Sequence, residues 1–168
     1  KFITDFLKFC RKHQPALYLN ELLQHQIERR ESKGSTVFLQ APDVKNGVGG
    51  LRDYQGILWM AKVKFNLIGL KGLIDKKYLT EQEAKSFEDA YSFLLRVRNE
   101  LHFRSSRPVE TLHLEKQPDI ALGLGYPQEC IFRRVEAFMG DYYTKAQTIH
   151  QMSGILEERL VHANSGNT

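Results

Sequence analysis

The sequence is poor in cysteine, with only Cys10 and Cys130 among its 168 residues and no CxxC motif. This content argues against a disulfide framework and against a zinc site, and it is typical of proteins in a reducing compartment. Long apolar runs are also missing, so neither a membrane-spanning helix nor a signal peptide is predicted. We therefore expect a cytoplasmic protein that does not bind membranes.

The chain also lacks a strong charge of one sign. Its 24 Lys and Arg residues against 20 Asp and Glu residues give a formal net charge of +4, and the basic residues are not concentrated with aromatic ones. Nucleic-acid binding is therefore not predicted. The 42% hydrophobic and 26% charged residues are ordinary values for a chain that folds. Since the chain begins with Lys1 rather than methionine, we expect it to be a fragment of a larger multidomain protein.

Apolar residues recur every three to four positions along most of the chain, which predicts helices. The predicted helices are a short one before Pro15, one beginning near Asn20, one over residues 51–65, a long one from the capping box at Thr80 to about Arg104, a short one at residues 120–122, and a final one from about Gln128 to Val161. We therefore predict an all-α fold, an antiparallel helical bundle in which residues 1–163 form a single helical domain and residues 164–168 a frayed tail.

One short segment departs from the helical pattern. Thr36-Val37-Phe38-Leu39 is β-branched and aromatic and lies between a glycine and a proline, which predicts one short strand or extended arm near residues 35–40. A single strand has no sheet to join, so its backbone groups must bind the helices or a neighbouring domain.

The densest candidate site lies in the loop before the helix at residues 51–65. It contains two glycines, two basic residues and two carboxylates: Gly49, Gly50, Lys45, Arg52, Asp43 and Asp53. The glycines directly precede the helix, where free backbone N–H groups favour a phosphate, and the cations add positive charge. The two carboxylates do not make a metal site by themselves. A purely structural glycine loop explains the same residues, since neither a Walker A loop nor a dinucleotide fingerprint is present.

A second candidate is the basic face of the long helix. Arg98 and His102 are four residues apart and border the apolar stripe, and Arg107 follows the helix. They predict a basic edge for a neighbouring domain or a ligand, and a solvated charged face is the alternative. No Asp-x-Asp, serine elbow or Cys–His motif is present, so we predict no catalytic residue and no metal site. Trp59 and Tyr142 are predicted at the core or its edge.

Several ordered motifs resemble the bacterial PII-protein uridylyltransferase/uridylyl-removing enzyme family, in the segment that follows its nucleotidyltransferase domain. The resemblance covers about residues 20 to 160, and its motifs are Pro42-Asp43-Val44-Lys45, Gly49-Gly50-Leu51-Arg52-Asp53, Leu58-Trp59, Arg96-Val97-Arg98-Asn99-Glu100-Leu101-His102, Leu124-Gly125-Tyr126 and Asp141-Tyr142-Tyr143. The chain departs from the family pattern at Ala41, Gly140 and Glu110, which leaves open a shorter relative with another target.

This resemblance implies a helical domain of the nucleotidyltransferase substrate-binding type, packed on a preceding nucleotidyltransferase domain. That domain would use Mg²⁺ to transfer UMP from UTP, or from another nucleoside triphosphate, to a tyrosine of the PII nitrogen-signalling protein. Lys45 and Arg52 would neutralise the triphosphate, or the loop would dock the domains. The chain lacks the family's catalytic Gly-Ser and Asp-x-Asp elements, so it is not expected to be catalytic alone or to bind nucleotide tightly. The alternatives are a protein-interaction module or a structural spacer in a signalling protein.

Overall fold

The computed structural model describes residues 5, 8–9 and 15–162. Six α-helices lie between residues 15 and 162, namely α1 (Pro15–Ser32), α2 (Leu51–Phe65), α3 (Lys71–Asp75), α4 (Glu81–Phe103), α5 (Gln117–Gly123) and α6 (Ile131–His162). A 3-10 turn, Leu114–Lys116, precedes α5. No strand occurs within these ranges, where the β-type pairing is an isolated bridge between Asp43 and Thr111. The all-α prediction is confirmed.

The predicted short helix before Pro15 and the predicted frayed tail fall on stretches that lie largely or wholly outside the described residues. The next helix begins at Pro15, earlier than the predicted start near Asn20. Proline suits the first helical position because it has no N–H to leave unpaired and its φ is already helical.

The core lies between the long helices. α6 packs against α1, α2, α4 and α5, and α2 also packs against α1 and α4. Large side chains from three helices fill the space between them, including Ile57, Phe87, Phe138 and Tyr142, each at most 2% exposed. Burial of such side chains stabilises the fold by about 1.5 to 3 kcal/mol for each. Trp59 lies outside this core at 52% exposure, so its predicted place was wrong, whereas that of Tyr142 is confirmed.

Residues 35–40 form an extended arm rather than a strand. The Tyr143 hydroxyl on α6 donates to the carbonyl of Leu39 at 2.9 Å, and the Gln117 side chain on α5 donates to the carbonyl of Gln40 at 2.7 Å. Val37 is buried, while the ring of Phe38 packs against that of Tyr143 at a centroid distance of 5.6 Å. The helices therefore supply the hydrogen-bond partners that a sheet would otherwise provide.

The capping box predicted at the start of α4 is present. The Thr80 hydroxyl accepts from the backbone N–H of Glu83 at 3.2 Å, and the Glu83 carboxylate accepts from the backbone N–H of Thr80 at 2.7 Å. The Thr80 N–H, and then the Thr80 hydroxyl at 2.9 Å, donate to the Glu83 carboxylate and hold the pKa of Glu83 below its usual value. Two N–H groups that the helix start would leave unpaired are thus satisfied.

We expect Thr80→Ala to lower the free energy of unfolding by about 1 kcal/mol, because it removes the N-cap acceptor. Urea denaturation followed by circular dichroism measures this. Ser92→Ala, an exposed position within α4, is the control and should leave stability unchanged or slightly raised. Equal values for the two variants would contradict the role of the cap.

Candidate functional site

Asp43 folds the loop that precedes α2. Its carboxylate accepts from the backbone N–H groups of Lys45 at 3.1 Å and Asn46 at 2.7 Å, and the Lys33 ammonium lies 3.1 Å from it. An aspartate that binds backbone N–H groups two and three residues on stabilises a tight turn. Asp43 therefore stabilises the turn. It binds the backbone N–H of Lys45, whereas the Lys45 ammonium lies near Glu110.

Asp53 is fully buried and belongs to an ion network. Its carboxylate binds the guanidinium groups of Arg29 and Arg30, the latter at 2.9 Å, and accepts from the backbone N–H of Gly49 at 2.8 Å. Arg30 also binds Glu157 on α6, with N–O distances of 2.9 and 2.5 Å. Burial lowers the pKa of Arg30, but the hydrogen bonds and charges of Glu157 and Asp53 outweigh it and raise that pKa overall. The network ties α1 and α6 to the start of α2.

Gly49, the first of the two glycines before α2, allows the loop to approach α6. Gly49 has a φ of +69°, and a Cβ placed there would lie 2.1 Å from the carbonyl oxygen of Ala146. The Gly49 N–H is donated to Asp53, and the Gly50 N–H is donated to the carbonyl of Gly47 at 3.0 Å. The two N–H groups that the sequence predicts for a phosphate therefore donate to acceptors within the chain.

The fold brings the two predicted candidate regions together at one carboxylate. Arg98 binds Glu110 through Nε at 2.7 Å and Nη2 at 2.6 Å, Lys45 Nζ lies 3.6 Å from Glu110, and His102 Nε2 lies 3.5 Å from it. The His102 Nε2 atom makes no hydrogen bond among the described residues, so its contact with Glu110 is electrostatic at most. We call these four residues the Glu110 cluster.

Backbone pairing sets the position of Glu110. The Val44 N–H donates to the carbonyl of Glu110 at 2.8 Å, and the Leu112 N–H donates to the carbonyl of Pro42 at 2.9 Å. The hydrogen bonds from Arg98 hold the pKa of Glu110 below its usual value despite partial burial, and the charges of Arg98, Lys45 and His102 act in the same direction. Glu110 thus neutralises part of a cationic surface.

Arg52 and Arg107 are exposed, and neither forms an ion pair within the described ranges. The Arg52 N–H donates to the carbonyl of Lys45 at 3.0 Å, which places the first turn of α2 beside the loop that carries Lys45. Arg107 lies in the segment after α4, and among the described residues it forms no hydrogen bond or ion pair with Glu110.

The family model of GlnD PII-uridylyltransferase matches residues 18–157. The chain belongs to this family. The resemblance found in the motifs over about residues 20 to 160 is confirmed, and it accounts for the order of the loop and the α4 motifs along the chain.

The GlnD-family chain is similar to three bifunctional uridylyltransferase/uridylyl-removing enzymes. It is 32% identical over 145 residues to that of Cereibacter sphaeroides, 33% over 138 residues to that of Rhodospirillum rubrum, and 34% over 134 residues to that of Pseudomonas aeruginosa. These matches cover 86%, 82% and 79% of this chain, but only 16%, 15% and 15% of the relatives. No solved structure matches the chain.

The described part of the GlnD-family chain holds no group of three or more His, Cys, Asp or Glu side chains placed to bind a metal ion. Its carboxylates at the candidate site are already paired with cations, Asp53 with two arginines and Glu110 with Arg98. These residues therefore do not fit a Mg²⁺ site. None of the helices between residues 15 and 162 is long and apolar enough to cross a membrane.

Glu110 was missed as a site residue by reasoning from the sequence, and so were the partners of Asp53. Glu110 follows the basic helix by a few residues, and this closeness in sequence could have predicted that it pairs with that helix. Arg29, Arg30 and Glu157 carry no such signal, because they lie far from Asp53 along the chain.

We expect Glu110→Gln to lower the free energy of unfolding by about 1 to 2 kcal/mol near neutral pH, because it removes a charged acceptor from Arg98. The folded-state pKa of Glu110 is below its usual 4.5. The stabilisation is therefore present above the unfolded pKa and is lost as the pH falls through the folded pKa.

Urea denaturation of wild type and Glu110→Gln, repeated at decreasing pH below neutrality, measures this effect. The difference between the two proteins should narrow in acid. Glu115→Gln, at an exposed position, is the control and should show a much smaller difference at neutral pH. A difference for Glu110→Gln that does not depend on pH would refute the pairing.

Proposed function

We propose that this chain is the helical substrate-positioning domain of a PII uridylyltransferase-type nucleotidyltransferase. In this proposal a preceding nucleotidyltransferase domain transfers UMP from UTP to a tyrosine of a PII-like acceptor protein in the bacterial cytoplasm. The chain spans about 15–16% of the length of the relatives named above, so other domains would supply the catalytic carboxylates and hold Mg²⁺. The chain itself would perform no chemistry.

The meeting of the loop before α2 with the basic face of α4 carries the proposal. Lys45 and Arg98 share the single carboxylate of Glu110, and Arg52, whose backbone N–H donates to the carbonyl of Lys45, adds an exposed cation on the first turn of α2. Three cations against one carboxylate leave a net positive surface, which attracts a nucleoside triphosphate. Glu110 positions Lys45 and Arg98, and cations that are already in place neutralise phosphate charge without reorganising during the reaction.

The buried residues would act by holding that surface in place. Asp53 and Gly49 fix the loop against α1 and α6, so that Lys45 and Arg52 project from a rigid base. Rigid support of contact residues matters because small displacements of positioning groups cost large factors in rate.

Arg98, His102 and Arg107 would serve the neighbouring domain or the acceptor protein. The guanidinium of Arg98 is paired with Glu110, so the exposed Arg107 has the charge that is more accessible to a partner. The competing function, a pure docking or protein-interaction module, uses the same cations without any contact with nucleotide.

Calorimetry with Mg²⁺-UTP and Mg²⁺-ATP tests the proposal. The protein is the polypeptide containing the preceding nucleotidyltransferase domain and this chain, with this chain alone as a second arm. We expect binding of Mg²⁺-UTP to need both parts, and Lys45→Ala and Arg52→Ala each to weaken it about tenfold.

Lys85→Ala, an exposed lysine on α4 outside the Glu110 cluster, is the matched control and should bind as the wild type does. If Lys45→Ala and Arg52→Ala also bind Mg²⁺-UTP as tightly as the wild type, the nucleotide role is excluded and the docking module is favoured.

A further inference from the structure

A concave site lies on the side of α4 away from the Glu110 cluster. It has a volume of about 520 Å³ and is formed by α4, the connection between α5 and α6, and α6 itself. Its lining includes Phe93, Arg96, Leu124, Tyr126, Asp141 and Lys145. Residues two positions apart on a helix point in different directions, so Arg96 lines this site while Arg98 belongs to the Glu110 cluster.

The acidic group of this site is bound by a tyrosine. The Tyr126 hydroxyl donates to Asp141 Oδ2 at 2.7 Å, and the Tyr126 ring packs edge-on against Phe138 at a centroid distance of 5.6 Å. Burial and the neighbouring Asp141 carboxylate raise the pKa of Tyr126, so it remains a neutral hydrogen-bond donor. Asp141 is therefore oriented along the wall of the site.

Two cations, Arg96 and Lys145, lie in the lining of the site. Arg96 and Lys145 form no ion pair among the described residues, whereas Arg30 and Arg98 each bind a carboxylate. The Arg96 guanidinium lies 5.7 Å from the centroid of the Phe93 ring, which orients it across an apolar wall. Two cations and one carboxylate leave this concave surface positive.

We propose that this cavity binds a compact oxyanion, a phosphate or carboxylate group, carried on a small molecule with an apolar ring. Arg96 and Lys145 contact the oxyanion, and Phe93 and Leu124 contact the ring. Convergent cations over an apolar wall are the usual composition of a site for such a ligand. This inference does not depend on the proposed function, because none of these residues belongs to the Glu110 cluster.

Titration of the whole chain with phenyl phosphate, benzoate and inorganic phosphate, followed by ¹H–¹⁵N NMR, tests the site. We expect phenyl phosphate or benzoate to shift the backbone amides of residues 93–96, 124–126 and 141–145 and to bind more tightly than inorganic phosphate. The stronger of the two ring compounds identifies the phosphate or the carboxylate as the preferred group.

Four variants test the sign of the site's charge. Arg96→Gln and Lys145→Gln should each weaken binding about tenfold, the effect of losing one charge-assisted hydrogen bond. Asp141→Asn should strengthen it, because it removes a negative charge from the wall. Lys85→Gln, on α4 outside the lining, should have no effect.

The NMR spectrum of each variant shows whether it is folded, so a loss of binding is separated from a loss of structure. Absence of shifts at the lining residues with all three probes would overturn the proposal. The reverse order of variants, with Asp141→Asn binding more weakly and Arg96→Gln more tightly, would also overturn it, since that order describes a site for a cation.

Discussion

Replacement of Asp53 by alanine is expected to lower the free energy of unfolding by about 3 to 5 kcal/mol, the cost of removing one partner from a buried ion network. The Asp53 side chain is 0% exposed and binds both Arg29 and Arg30. Without it Arg30 keeps Glu157, but the Gly49 N–H loses its acceptor and Arg29 loses its carboxylate. Buried groups left without partners carry the full cost of their desolvation.

Urea denaturation of the chain measures this loss. Asp53→Asn keeps an acceptor for the Gly49 N–H but removes the charge, so it should fall between the wild type and Asp53→Ala. Asp89→Ala, an exposed aspartate on α4, is the control and should change stability by less than about 0.5 kcal/mol. If Asp53→Ala and Asp89→Ala lose the same amount, the network does not stabilise the fold.

Gly49→Ala is expected to destabilise the chain by about 2 to 4 kcal/mol, through combined overpacking and backbone strain. The added Cβ would lie 2.1 Å from the carbonyl oxygen of Ala146 and 2.7 Å from its carbonyl carbon. Both atoms belong to the backbone of α6, so no side-chain rotation relieves the contact. The φ of +69° at Gly49 adds strain for any residue with a Cβ.

Gly140→Ala gives a matched comparison within α6, where an added Cβ would meet no atom within 4 Å. It should raise stability by about 0.5 to 1 kcal/mol, because alanine favours a helix interior more than glycine does. Thermal and urea denaturation of the two variants should therefore give changes of opposite sign. A stabilising effect of Gly49→Ala would show that the loop does not approach α6 as described.

Asp53→Ala and Gly49→Ala change residues that hold the candidate site in place, and not residues that we propose to contact nucleotide. Asp53 and Gly49 act on the fold, so their replacement lowers stability. Lys45 and Arg52 lie at or near the surface, so their replacement should lower nucleotide affinity at nearly unchanged stability. A loss of affinity in the second pair with normal unfolding is the result that connects the loop with the nucleotide.

Local sequence signals predicted the longer helices, whereas the five-residue helix α3 was not predicted. The spacing of apolar residues placed the helix at residues 51–65 with its observed ends, and Thr80 with Glu83 marked the start of α4. These signals are reliable because a helix start and a helix face depend on residues within one or two turns. Trp59 shows the limit, since the same spacing cannot tell which side of a helix remains uncovered.

The family was also accessible from the sequence, because several short motifs occur together in a fixed order. The physical roles of these motifs could not be predicted from the sequence. A glycine pair before a helix is compatible with phosphate binding and with close packing alike. The packing role of Gly49 is seen only in the tertiary structure, where α6 approaches it and Asp53 accepts its N–H.

By itself the sequence determined the all-α class, the approximate positions of the described helices other than α3, and the family of the chain, since these follow from local periodicity and ordered motifs. The tertiary structure decided which charges meet. Asp53 binds arginines from α1, and Lys45 shares Glu110 with Arg98 of α4. The reason is that ion pairs depend on distances of a few ångströms between residues far apart along the chain, and only packing of the helices sets those distances.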